Sequence, residues 1–141
     1  MAAANIESKM HSGGQRDLAD LRQALLARRE QLTREVEDGQ QRRLNEDSFS
    51  VVASEVADAG DASLAHEQLD LRTTQIERDL VELRDVESAL DRIKDGTYGT
   101  CVRCGRDIGM ARLRANPAAS RCIECQTAVE HQFAGNATPS L

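Results

Sequence analysis

The chain has 141 residues, a formal net charge of −6, one Tyr, two Phe and no Trp. So few aromatics exclude a large compact core, because aromatic rings supply much of the area such cores bury; the 30% charged composition suits long helices packed in pairs instead. The acidic balance disfavours duplex nucleic acid, whose binders carry a basic excess, and no run approaches the roughly 18 apolar residues of a membrane span.

Residues 1–14 are small and polar and end in Gly13-Gly14, which reads as a flexible arm. With no basic flank followed by an apolar run, they form no secretory signal, and the expected compartment is a cytosol that keeps thiols reduced. From Gln15 an apolar stripe begins: Leu18, Leu25 and Leu32 are spaced by seven, and Leu21 and Val36 fill a second seam. This heptad pattern predicts a coiled-coil helix. A mid-helix Gly costs about 1 kcal/mol relative to Ala, so Gly39 predicts a bend or fraying. Phe49, Val52 and Val56 then resume a helical spacing.

Residues 57–63 break the pattern. Gly60 permits a turn, and Asp61 or Ser63 can cap a second helix. Its stripe is Leu69, Ile76, Leu80, Leu83, Leu90 and Ile93, and it ends with Lys94 in the last turn and Gly96 at the position after the cap. Two helices of similar length, with matching seams and a short link, predict an antiparallel hairpin over 15–95 with its tip near 57–63. Arms of ~35 residues would each reach about 50 Å.

All four cysteines fall in one short window, as Cys101-Val-Arg-Cys104 and Cys122-Ile-Glu-Cys125. Two C-x₂-C turns at this separation place four thiolates on one tetrahedron, the arrangement of a structural Zn²⁺ site. A full shell of four thiolates leaves no position for water or substrate, so the expected cofactor is one structural zinc and no catalytic residue is expected. A four-cysteine iron–sulfur site has the same ligands, but spacing and compartment favour zinc. A disulfide pair is disfavoured where thiols stay reduced, and a redox C-x-x-C lacks its βαβ setting. Ile108, Leu113, Ile123 and Val129 are the candidate apolar cluster around the metal, too few to fold the segment alone. A zinc module with a short C-terminal helix is thus expected over 96–133, followed by a flexible tail, 134–141. His11, His66 and His131 are isolated and read as solvated. The predicted fold class is mostly α: a long antiparallel coiled-coil hairpin followed by a small four-cysteine zinc-finger module.

Tyr98-Gly99-Thr100-Cys101 through Cys125-Gln126, with the inner run from Ile108-Gly109 through Arg112-Leu113 to Ala115-Asn116-Pro117, resembles the DksA/TraR family of four-cysteine zinc-finger proteins. The likeness extends over roughly residues 15–130. At the tip, Asp58-Ala-Gly-Asp61-Ala-Ser63 is similar to the family's Asp-x-x-Asp-x-Ala motif, with Ser63 where the family often has Ala, and Asp58 stands 43 residues before Cys101 in the same register. The resemblance implies a cytoplasmic bacterial transcription factor that binds RNA polymerase rather than specific DNA. On that resemblance, the coiled-coil tip is expected to enter the polymerase secondary channel and alter open-complex lifetime. The resemblance further implies tip contacts by Asp58, Asp61 and Ser63 and a possible polymerase contact at Arg78, whose plain alternative is an i, i+4 pair with Glu82. In family members that respond to guanosine tetraphosphate, basic side chains reach its phosphates from positions occupied here by Asp85, Asn116 and Gln126, so weak dependence on that nucleotide is expected. A monomer is expected.

The charge map agrees. Between residues 46 and 61 there are five acids (Glu46, Asp47, Glu55, Asp58, Asp61) and no base. Ordinary turn chemistry explains Asp, Gly and Ser there equally well; the register of the motif favours a functional tip. Residues 96–125 carry Arg103, Arg106, Arg112, Arg114 and Arg121 against Asp107 and Glu124, which keeps a zinc-ribbon nucleic-acid binder as one alternative. A transcript-cleavage factor resembling the Gre proteins is the other, although those lack the zinc module.

Overall fold

The computed structural model describes residues 13–53 and 59–135. The rest of the expected arm, Asp58 and the end of the tail lie outside the described residues. Among the described residues, four helices occur in the order α1 (Gly13–Ala53), α2 (Ala59–Asp95), α3 (Met110–Ala115) and α4 (Ile123–Gly135). The described residues contain no strand, only an isolated bridge between Thr100 and Asp107. None of these helices is long and apolar enough to cross a membrane.

The first two helices, of 41 and 37 residues, are long because nothing stops them. Pro117 is the first proline in the chain, and Ala, Leu, Arg, Glu and Gln dominate both helices, the residues that lose least on entering a helix. Two local expectations fail. Helix α1 runs unbroken through Gly39. An added Cβ there would lie 2.9 Å from Ile76 Cγ1, so this glycine serves a close approach between helices rather than a bend. The second helix starts at Ala59, so Gly60 lies inside it, and Asp61 and Ser63 stand in its opening turns rather than at its cap. Both differences share a cause: helix packing and continuity override the modest cost of one glycine.

The chain forms two compact units, one made of residues up to Leu26 together with Asp85 onward, the other Ala27–Arg84. In the second unit, Leu32 and Val36 of α1 and Ile76 of α2 are buried. Arg28 lies against Glu82, Gly39 against Ile76, and Arg72 pairs with Glu46, so numbers rise on one helix as they fall on the other and the pair is antiparallel. Arg28 grips Glu82 with two parallel bonds of 2.6 and 2.8 Å, and Glu35 lies 3.9 Å away. That hydrogen bond raises the Arg28 pKa and lowers that of Glu82. Both side chains are more than a third exposed, so the pair adds little stability; a fork of fixed geometry inside an apolar seam sets register. Asp79 is buried and accepts a bond from Gln75 Nε2 at 2.7 Å.

In the first unit, Leu21 and Leu25 of α1 and Val86, Ala89 and Leu90 of α2 are buried. The stripe read from sequence is only partly the seam. Leu18, Leu69, Leu80, Leu83 and Ile93 are half-buried, while Val86 and Ala89 are 1% and 0% exposed. A strict seven-residue count drifts against the 3.6-residue turn, and these two positions occupy the face it drifts onto.

The second helix ends as expected. Thr97 N–H donates to Arg92 O at 2.9 Å and Gly96 N–H to Ile93 O at 3.3 Å, a Schellman closure with Gly96 at φ 77°. A side chain at Gly96 would meet the left-handed penalty of about 1 kcal/mol. Beyond it, Tyr98 is buried and its hydroxyl donates to Pro117 O at 2.7 Å; burial pushes its pKa up to about 12, opposed by the charge of Arg92. Arg92 is itself buried. Its Nε donates to Ser88 O at 3.3 Å, and neither Nη has a partner among the described residues. Desolvation lowers its pKa, while Tyr98 and Asp85 act to raise it. Arg114 of α3 pairs with Asp17 of α1 at 3.1 Å.

Candidate metal centre

The first knuckle is a hydrogen-bonded ribbon. Cys101 N–H donates to Arg106 O at 2.8 Å, Ile108 N–H to Gly99 O at 2.8 Å, and Gly105 N–H back to Cys101 O at 2.9 Å. The last bond needs a left-handed residue, and Gly105 has φ 72°, which a side chain would strain. The second knuckle is the first turn of α4: Gln126 N–H donates to Cys122 O at 2.9 Å. Cys122 and Cys125 therefore sit at a helix N-terminus, where thiolates are favoured. Val102 N–H donates to Ser120 O at 2.9 Å and ties the two knuckles together.

The four Sγ atoms all lie within 4.8 Å of one another. A tetrahedral ion with Zn–S near ~2.3 Å has sulfur–sulfur edges of about 3.8 Å, and the Cys104–Cys122 separation is 3.8 Å. The donor set and its size fit Zn²⁺. Cys101 and Cys122 are buried, Cys125 is half-buried and Cys104 is exposed. Around them Tyr98, Ile108, Leu113 and Ala119 are buried, but Ile123 is 62% exposed and Val129 only half-buried. The expected cluster is corrected at Ile123: fixing both flanking residues of the α4 first turn toward the metal aims the side chain between them outward.

Backbone donors prepare the site for the ion. The N–H groups of Cys104 and Cys122, with that of Arg103, hold the Cys101 pKa down to about 5. The Arg106 backbone and then its guanidinium lower that of Cys104, and the same guanidinium bonds Glu124. In the metal-free cluster the last thiol moves the other way, since burial and the neighbouring cysteines push Cys125 up to about 12. A divalent cation reverses that repulsion.

In the metal-free cluster, with Cys101 held low and Cys125 pushed up, the sulfurs share protons that zinc must displace. Affinity therefore rises with pH by up to about tenfold per unit for each proton displaced. A chelator-competition titration at pH 6 and pH 8, corrected for protonation of the chelator, checks this. Equal affinities would contradict it. Arg106 was legible only as one arginine among five; its place after Gly105 is what turns it back onto Cys104.

The remaining predicted residues are scattered. Asp58 lies outside the described residues, Asp61 is the third residue of α2, and Ser63 and Arg78 are exposed on α2. Glu46, one of the five tip acids, is paired with Arg72. Asp85, Asn116 and Gln126 do come together, around a cleft of about 380 Å³ that Arg112, Arg121 and Glu130 also line. Several of its polar groups are already engaged: Arg112 Nε donates to Arg121 O at 3.0 Å, Gln126 Nε2 to Glu130 at 2.9 Å, and Asn116 Oδ1 accepts from Ala118 N–H at 3.2 Å.

The profile of the prokaryotic dksA/traR C4-type zinc finger matches residues 96–131. The RNA polymerase-binding transcription factor DksA of Escherichia coli (strain K12) is 30% identical over 135 residues, covering 92% of this chain and 85% of that protein. The protein of the same name from Caulobacter vibrioides (strain NA1000 / CB15N) is 34% identical over 116 residues, covering 79% and 74%. The solved structure of transcription factor DksA2 from Pseudomonas aeruginosa superimposes with a TM-score of 0.67 at 24% identity, over 90% of this chain and 95% of that one, a likeness of fold. With the four-sulfur cluster in place and similarity running through the hairpin as well as the finger, the chain belongs to the DksA/TraR family of C4-type zinc-finger proteins.

Proposed function

We propose that the chain is a bacterial RNA polymerase-binding transcription factor, cytoplasmic, monomeric and without enzymatic activity, that carries one structural zinc ion per chain. The observation that carries the reading is the extent of the match to the Escherichia coli protein, 92% of this chain and 85% of that one. A shared zinc module alone would say little about a partner; a shared hairpin and module together carry a shared mode of binding. In this reading the hairpin end bearing Asp58, Asp61 and Ser63 enters the polymerase secondary channel and changes the lifetime of promoter open complexes. A cluster of acids is steered toward a positive or metal-bearing site by its field. No sequence-specific DNA contact is required. Open-complex decay, followed on a ribosomal promoter with purified polymerase, tests this: the lifetime changes when zinc-loaded protein is added. An unchanged lifetime with stimulated RNA cleavage would favour the Gre-like alternative.

Regulation by this chain depends little on guanosine tetraphosphate. A polyanion needs charge-assisted donors, and losing even two at about 1.5 kcal/mol each weakens a site more than a hundredfold. The cleft offers Asp85, Asn116 and Gln126 where basic residues would be needed, its two arginines are offset by Asp85 and Glu130, and nearby Arg114 is committed to Asp17. Transcription with and without the nucleotide, using polymerase stripped of its own separate nucleotide site, checks it. Strong synergy there would contradict it.

A further inference from the structure

The two knuckles are tied a second time, at the exposed edge of the cluster. Besides the Val102 N–H bond to Ser120 O, the side chain of Arg106, two residues after Cys104, pairs with that of Glu124, which stands between Cys122 and Cys125. Each knuckle thus contributes one arm. Both arms are fixed at the root. The Arg106 carbonyl accepts from Cys101 N–H at 2.8 Å after the turn at Gly105, and Glu124 lies in the first turn of α4, where the helix dipole favours a carboxylate.

The same guanidinium donates to the Cys104 sulfur. Cys104 is the exposed member of the ligand set: Cys101 and Cys122 are buried and Cys125 is half-buried. Water, competing ligands and electrophiles therefore meet the metal shell at Cys104 first. An ion pair whose side chains are 63% and 69% exposed adds little to stability. Its consequence lies in where it holds the guanidinium. A charge-assisted hydrogen bond draws electron density from a thiolate, and a thiolate of lower basicity is a weaker nucleophile. Only a side chain held in place does this well, because an unrestrained arginine spreads over many rotamers.

We infer that Arg106 is a positioning residue of the zinc site: held by Glu124, it forms a clasp over the exposed Cys104 sulfur and sets how fast that ligand reacts while the metal is bound. The clasp concerns the zinc module alone and stands apart from the polymerase reading. Arg112 and Arg114 are engaged elsewhere, with Arg121 O and Asp17. Bulk charge alone gives a different pattern. Removing the Glu124 charge leaves the cluster less negative, which makes its sulfurs less reactive; releasing Arg106 from its hold makes Cys104 more reactive. The sign of the effect at Glu124 separates the two.

The test uses full-length, zinc-loaded protein with Arg106→Gln and Glu124→Gln, and Arg103→Gln as a control, since Arg103 is an exposed arginine of the same knuckle. Each variant is first matched to the parent in zinc content and thermal melt. The probe is iodoacetamide, a neutral alkylating agent. It forms an S–C bond and releases iodide, and peptide mapping reads the initial rate at Cys104. That rate is expected to rise about fivefold to tenfold in Arg106→Gln and at least about threefold in Glu124→Gln, with the control within about twofold of the parent. A parent-like rate in Arg106→Gln overturns the clasp. A slower rate in Glu124→Gln reduces the effect to bulk charge and overturns it too, as does equal acceleration by Arg103→Gln. Should Arg106→Gln fail to load zinc, Glu124→Gln, which leaves the backbone bonds of both knuckles in place, decides the question alone.

Discussion

Removing zinc unfolds residues 96–131 and leaves most of the helical signal in place. The balance of magnitudes decides this. The buried apolar residues of the module are few: Tyr98, Ile108, Leu113 and Ala119 beside Cys101 and Cys122. So few buried side chains cannot offset the conformational entropy of ordering the segment, and metal binding supplies folding free energy that burial does not. The hairpin has its own seam, with Leu25, Leu32, Val36, Ile76 and Val86 at or below 9% exposure. Helices α3 and α4 hold 6 and 13 residues against 41 and 37 in α1 and α2, so chelation takes only a minor share of the 222 nm ellipticity. Protease digestion then cuts after Gly96 first. Cys101→Ser has the same effect as chelation, because a hydroxyl is a poor zinc ligand. A zinc-free protein that resists protease between residues 96 and 131, or a purified protein carrying iron, would contradict this.

Replacing Asp58 and Asp61 together with Asn abolishes regulation while polymerase affinity stays within about threefold, since charges that act at a docked active centre add little to the anchoring contacts. Asn is the informative substitute. It keeps the size of Asp and ranks with it at helix starts, so α2, which begins at Ala59, is not penalised for its opening turn. A circular-dichroism melt within a degree or two of the parent separates lost function from lost fold. A doubly substituted protein that regulates normally would reduce the acidic tip to turn chemistry.

The two knuckles and the closing glycine were legible because their chemistry is local. Cys101, Cys104, Cys122 and Cys125 announce a tetrahedron by spacing alone, and Gly96 announces a left-handed closure. What escaped was set by partners distant in sequence. Gly39 looks like a helix breaker until Ile76 is seen against it. Glu82 looks like the partner of Arg78 until Arg28, 54 residues away, is found holding it. Val86 and Ala89 fall outside a strict heptad count, which does not follow a real helix. Ile123 reads as apolar and therefore inside, but the two cysteines around it fix the direction of that turn. The cleft joining Asp85, Asn116 and Gln126 carries no pattern of its own in the sequence; only the matched family positions brought those three residues together before the fold did.

The proposed function is tested most directly by the affinity of the zinc-loaded chain for purified bacterial core RNA polymerase, measured at near-physiological salt in the absence of DNA. A saturable one-to-one complex with a Kd of about a micromolar or tighter, an affinity worth about 8 kcal/mol, is the predicted result. No complex at micromolar concentrations, or tight and salt-dependent binding to duplex DNA in its place, would contradict it.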